Sequence, residues 1–142
     1  MELTLDSDQS ELQQTARRFV ADHPAPEWSR LADLGWLGLA IPEQHGGAGA
    51  SRGDMAVIFE ELGRGAVEGP IFSSAVLAVD LLSALAPAWC DEMLPAIANG
   101  EARVAVVADG LVRRGAGPTI DGAGRVAGAV DLIAADDQCT HY

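Results

Sequence analysis

The run Gly35 to Gly53, GWLGLAIPEQHGGAGASRG, constrains the fold of this chain more than any other stretch. It opens with a short apolar segment, Leu37 to Ile41, that Pro42 cuts off. Proline lacks the amide donor and fixes its own φ, so regular structure ends there. Gly46, Gly47 and Gly49 follow, and glycine accepts backbone angles that a Cβ disfavours. The expected product is a buried apolar segment turning sharply into a surface loop. Glycine-rich loops also cradle phosphate when they leave a strand and open a helix. The sequence GGAGASRG holds no G-x-G-x-x-G register, so a tight surface connection is the expected role.

Helical periodicity flanks this run on both sides. A first helix is expected from Ser7 or Asp8, residue types that accept hydrogen bonds from the free amides of a first turn. Leu12, Ala16, Phe19 and Val20 recur at helical spacing, Arg17 and Arg18 fall near the favourable C-terminal end, and His23-Pro24 stops it. A second helix is expected over 26–34, with Trp28, Leu31 and Ala32 on one face and Gly35 as its C-terminal cap. Trp28 and Trp36 read as core residues. A third opens at Ser51 with Asp54 three residues on, a capping-box pair. Its apolar face is Met55, Ile58, Phe59 and Leu62, and Glu60, Glu61 and Arg64 are expected to face water without a catalytic role.

The stretch Ile71 to Ala86, IFSSAVLAVDLLSALA, is apolar almost all round, with Asp80 its only charge. Such a helix is expected to be buried on most sides, and it is short for a bilayer. A further helix follows from about Pro87, with Trp89, Met93, Leu94 and Ile97; Pro95 is expected to kink or divide it, and Asn99-Gly100 to end it. At Ala102 the period changes. ARVAVVA is a β-branched run closed by the turn pair Asp109-Gly110. Thr119-Ile120 leads into a turn at 121–124, and 125–130 and 131–135 read as further weak strands. The chain therefore divides near Gly100 into a helical domain, 1–100, and a partial β domain, 101–142.

With 142 residues, 49% of them hydrophobic, the chain suffices for one packed domain and the start of another. A net charge of -12 argues against nucleic-acid binding, which needs a basic footprint. Cys90, Cys139, His23, His45 and His141 are scattered, so neither a metal site nor a disulfide framework is expected. The N-terminal MELTLDSDQSELQQ lacks the apolar core of a secretory signal, and no run has the length of a membrane span. A soluble, cytoplasmic protein is the expectation.

The order of these pieces carries a resemblance. GLxxPxxxGGxG between amphipathic helices, then Ile58 to Gly65 (IFEELGRG), then Gly69-Pro70, then Met93 to Glu101 (MLPAIANGE) resembles the N-terminal domain of the acyl-CoA dehydrogenases over about residues 7–105. The resemblance implies a mainly α fold: an antiparallel helical domain followed by the beginning of a β domain. It implies a flavoenzyme, with FAD as cofactor, that desaturates an acyl-CoA thioester. In that family a carboxylate abstracts the α proton and flavin N5 takes the β hydride. The helix Ile71 to Ala86 corresponds to one that helps wall the acyl-chain pocket, which would put Ile71 and Ser74 on the substrate side. Plain core packing is the alternative for both. Oxidases and flavin-dependent monooxygenases share these N-terminal motifs.

This sequence also departs from the family. The family's base is a glutamate in a C-terminal helical domain with no counterpart here, so no catalytic residue is assigned. Family members carry a Leu-Thr-Glu-Pro type segment and then Gly-Ser-Asp after the first strand. Here that place holds Val106 to Gly110 and then Arg113 to Pro118, so no flavin ligand is carried over. Arg113 and Arg114 could meet a pyrophosphate, with a solvated turn the preferred reading. The chain is expected to be either a fragment or a reduced member completed by another subunit, in a homo- or hetero-oligomer. A non-catalytic partner subunit is the alternative function. The apolar helix from Ile71 further implies that the isolated chain self-associates or needs a partner.

Overall fold

A computed structural model describes residues 4–107, 118–129 and 138–142. The expected turn Asp109-Gly110, the arginines Arg113 and Arg114, and the strand at 131–135 lie outside the described residues. Helix α1 (Ser7–Asp22) starts one position later than its cap, Asp6. The Asp6 carboxylate accepts from the Gln9 amide at 2.8 Å, and the Gln9 side chain accepts from the Asp6 amide in return. Helix α2 (Trp28–Asp33) is shorter than expected. Gly35, at φ +73°, turns the chain after it, and the Trp36 amide donates back to the Leu31 carbonyl.

Leu37 and Ile41 are fully buried and Trp36 nearly so. The loop beyond Pro42 folds back onto this run: Ala48, Gly49 and Ala50 donate their amides to the carbonyls of Gly38, Ile41 and Leu39. That return leaves no space at Gly47, where an added Cβ would stand 2.0 Å from the Ile41 oxygen. His45, in the short 3-10 turn Glu43–His45, comes within 3.3 Å of the Asp91 carboxylate and ties the loop to the chain far downstream.

Helix α3 (Arg52–Arg64) opens on the expected capping box of Ser51 and Asp54. It packs along α1. Down that contact Gln9 Nε2 donates to Asp54, Arg17 meets Glu61, and Val20 fills the space where Gly65 lacks a side chain. Met55, Ile58 and Leu62 are buried as their spacing requires. Glu61 does not face water as expected. It is 1% exposed, because it stands three residues after Ile58 and beside Leu62 on the packed arc and finds Arg17 across the interface.

A π-helical turn, Ser73–Ala78, runs on into α4 (Val79–Leu85). The expected all-round burial is not observed. Ile71, Ser73, Ser74, Ala75, Ala78 and Val79 are buried, whereas Phe72, Leu81 and Leu85 are exposed. One side of this helix packs on the core, and the described residues leave the other open. The chain then bends by 118° between Leu85 and Pro87, and the 3-10 turn Pro87–Trp89 leads into α5 (Cys90–Ala98), which continues through Pro95 undivided. No single described helix is long and apolar enough to cross a membrane.

Gly100, at φ +80°, closes α5. Beyond it lies the segment 102–106, termed the extended segment, in which Val104 makes an isolated parallel bridge with His141. Strands β1 (Thr119–Ile120) and β2 (Val126–Ala127) form an antiparallel hairpin. Its turn is held by the Asp121 carboxylate, which accepts from the amides of Ala123 and Arg125 and from Arg125 Nε. The core has two parts. One joins α1, α2 and α3 around Leu31, Leu37, Ile58 and Leu62; the other joins α4, α5 and the extended segment around Ile41, Val79, Leu94, Ile97 and Val104.

Candidate functional site

The start of the α4 helical stretch is where sequence reasoning put substrate contacts. Ile71 is 5% exposed and belongs to the α1–α3 part of the core. Ser74 is fully buried, and its hydroxyl both accepts from the Val104 amide at 2.8 Å and donates to the Val104 carbonyl at 2.9 Å. Ser73 accepts from the Val106 amide at 2.7 Å. The two serines thus do for 104–106 what a neighbouring strand does elsewhere. Their pairing was not read from the sequence, although two adjacent hydroxyls in an otherwise apolar helix were the signal. A π turn widens the helix, which lets consecutive side chains address one neighbouring segment, and such turns are common at functional sites. Phe72, between Ile71 and Ser73, points outward, and its ring meets Phe59 edge-on at 5.7 Å.

Beyond this junction an apolar groove of about 470 Å³ runs between α4, α5 and the extended segment. Met93 and Val104 are among its buried lining residues, and Leu81, Leu85, Trp89 and Tyr142 stand exposed along it. A second, polar hollow of about 690 Å³ lies beside Trp28. Trp28 is half-buried. Its indole N–H donates to the Gly100 carbonyl at 3.1 Å, and the Arg103 guanidinium lies 4.5 Å over the ring. Trp28 is thereby a pin for the corner after α5, and Trp36 is plain core.

The buried charge sits elsewhere. The Glu61 carboxylate accepts from Arg17 through two nitrogens, at 2.7 and 3.2 Å, and from Arg64 Nε at 3.1 Å. The Arg17 hydrogen bond is the main cause that holds this carboxyl below its ordinary value; the charges of Arg17 and Arg64 act the same way, and burial opposes them. Gln9 and then Ser51 lower Asp54 similarly. Both are locks between α1 and α3. Toward FAD the helix–segment junction and the apolar groove offer little. The junction hydroxyls are engaged by Val104 and Val106, and no arginine lines the groove, so these residues form no donor set for a pyrophosphate.

A family model described as Acyl-CoA dehydrogenase, N-terminal domain, matches residues 6–101. Acyl-CoA dehydrogenase IpdE2 of Mycobacterium tuberculosis is 30% identical over 124 residues, covering 75% of this chain and 38% of that protein. A variant of the Tcur3481-Tcur3483 steroid ACAD is 31% identical with a TM-score of 0.59, covering 71% of this chain and 32% of that one. The ChsE4-ChsE5 complex of Mycobacterium tuberculosis, at 22% identity and a TM-score of 0.65 over 82% of this chain and 33% of that one, shares the fold. The chain spans 12% to 38% of the length of the first curated relatives it matches. The chain therefore belongs to the acyl-CoA dehydrogenase family, through its N-terminal domain.

Proposed function

We propose that this chain supplies the N-terminal helical wall of an FAD-dependent, acyl-CoA dehydrogenase-like enzyme that desaturates an acyl-CoA thioester between its α and β carbons. The observation that carries this reading is the family match over 6–101, which includes the helix from Ile71 and leaves one side of it open and apolar. The domain limits are 1–100 for the helical unit and 101–142 for the partial β unit. The end of the helix bearing Ile71 and Ser74 is the part of the wall nearest the acyl chain. This chain's part is to exclude water from one side of the substrate with apolar surface and to orient it, and no proton transfer is assigned to any of its residues. The assembly is a homo- or hetero-oligomer of family-like subunits, in the cytoplasm.

A second reading is favoured by one sequence observation. The place after Val107, where the family carries its flavin- and substrate-contacting motifs, holds neither. On that reading the chain is a non-catalytic partner subunit. The visible absorption spectrum of the purified protein, alone and co-expressed with its genomic neighbours, separates the two. A flavin spectrum obtained alone supports the first reading and excludes the second. A flavin spectrum only with a partner means a shared site. No flavin under either condition overturns the enzyme reading.

A further inference from the structure

We propose that Ser73 and Ser74 set the register of the segment Ala102 to Val107, so that the helix walling the proposed acyl cleft and this segment beyond α5 move as one body. The link to a cleft rests on the family reading; the register role does not. A strand normally takes its register from a neighbouring strand or turn, and a slip of one residue sends every side chain to the opposite face. Here Ala102 and Val104 are buried in the α4–α5 core and Val106 packs against it, while Ala105, also fully buried, lies outside that cluster. A one-residue slip would bring Arg103 into that apolar environment and take it away from Trp28.

The two edges of the segment are held by different partners. On one edge Ser74 takes both the amide and the carbonyl of Val104, and Ser73 takes the amide of Val106. On the other edge the Ala105 amide donates to the His141 carbonyl at 2.9 Å, and the Arg103 carbonyl accepts from the amides of Thr140 and His141. The contact with 140–142 is a short parallel bridge. The serine edge comes from a helix whose buried side is packed in the core, so it is the fixed edge, and it selects which residues face inward.

Residue-resolved amide hydrogen exchange on the whole chain tests this, with Ala105 as an internal reference. In Ser74→Ala, exchange at Val104 should accelerate about tenfold or more while Ala105 and Val106 change little. In Ser73→Ala the acceleration should move to Val106; this milder variant also serves if Ser74→Ala does not fold. Acceleration of Val104, Ala105 and Val106 together in both variants would mean general loosening and would overturn the proposal. So would no change at Val104 and Val106. Flavin absorbance, read alone and with co-expressed partners, reports on the family reading separately: its absence under both conditions, with the predicted exchange pattern intact, rejects the enzyme and leaves the register role standing.

Discussion

Replacing Glu61 by Gln tests whether a buried charge joins α1 to α3. The carboxylate is 1% exposed, whereas the side chains of Arg17 and Arg64 are 54% and 57% exposed. Breaking a fully buried ion pair costs about 3–5 kcal/mol, and exposed pairs contribute about 1 kcal/mol or less. The geometry lies between, so Glu61→Gln should lower stability at pH 7 by about 2 kcal/mol. For a chain of this size that is a fall in Tm of roughly 8 °C. Urea unfolding followed by circular dichroism measures it.

The pH dependence gives a sharper test. The folded-state value of Glu61 is depressed below its ordinary 4.5, chiefly by the Arg17 hydrogen bond. Its contribution is therefore fully present above 4.5 and is lost as the pH falls through the depressed folded value. The gap between wild type and Glu61→Gln should be constant from neutral pH down to about 5 and should close below the ordinary glutamate range. A gap under about 0.5 kcal/mol at pH 7 would refute the lock, since that is the scatter of ordinary surface substitutions. A gap that persists unchanged in acid would show that size or packing, not charge, carries the effect.

Two further outcomes follow from the packing. Gly47→Ala sets a Cβ 2.0 Å from the Ile41 oxygen and should cost about 3 kcal/mol or prevent folding, whereas Gly63→Ala, in α3 with nothing within 4 Å, should stabilise by about 0.5–1 kcal/mol; thermal unfolding of both decides it. Leu85 and Trp89 are 76% and 58% exposed beside the apolar groove, so the wild-type chain should self-associate in sedimentation velocity, and Leu85→Glu with Trp89→Glu should return it to monomer. A wild type that stays monomeric over a wide concentration range would refute the second.

What the sequence made legible was local chemistry. The capping box of Ser51 and Asp54 and the turns at Gly35 and Gly100 lie within a few residues of their causes, and all appear where expected. The apolar run 37–41 and the loop that returns on it followed from Pro42 and the glycines around 46–49. The turn at 121–124 appears where expected, whereas the pairing of the segment 102–107 with the hydroxyls of Ser73 and Ser74 on one edge and with 140–141 on the other was not legible. What stayed hidden was which distant group would meet a polar side chain. Glu61 finds Arg17 across 44 residues, and Ser74 finds Val104 across 30.

That failure has a physical pattern. Glu61, Ser73 and Ser74 are the buried polar residues of the described chain, and all three stand at core-facing positions of their helices. A polar group in such a position is destabilising unless it is hydrogen-bonded, so its presence implies a partner even where the sequence cannot name one. Each of the three joins its helix to an element remote in sequence: Glu61 joins α3 to α1, and the serines join the α4 stretch to the strand beyond α5. Hydrophobic burial holds these elements together without fixing how they slide, because it is non-directional. The directional bonds at these three positions set the alignment of helix against helix and of helix against strand. Substitution there should loosen the contact at the bonded residues before it abolishes folding, whereas substitution of Leu37 or Ile97, both fully buried, should do the reverse.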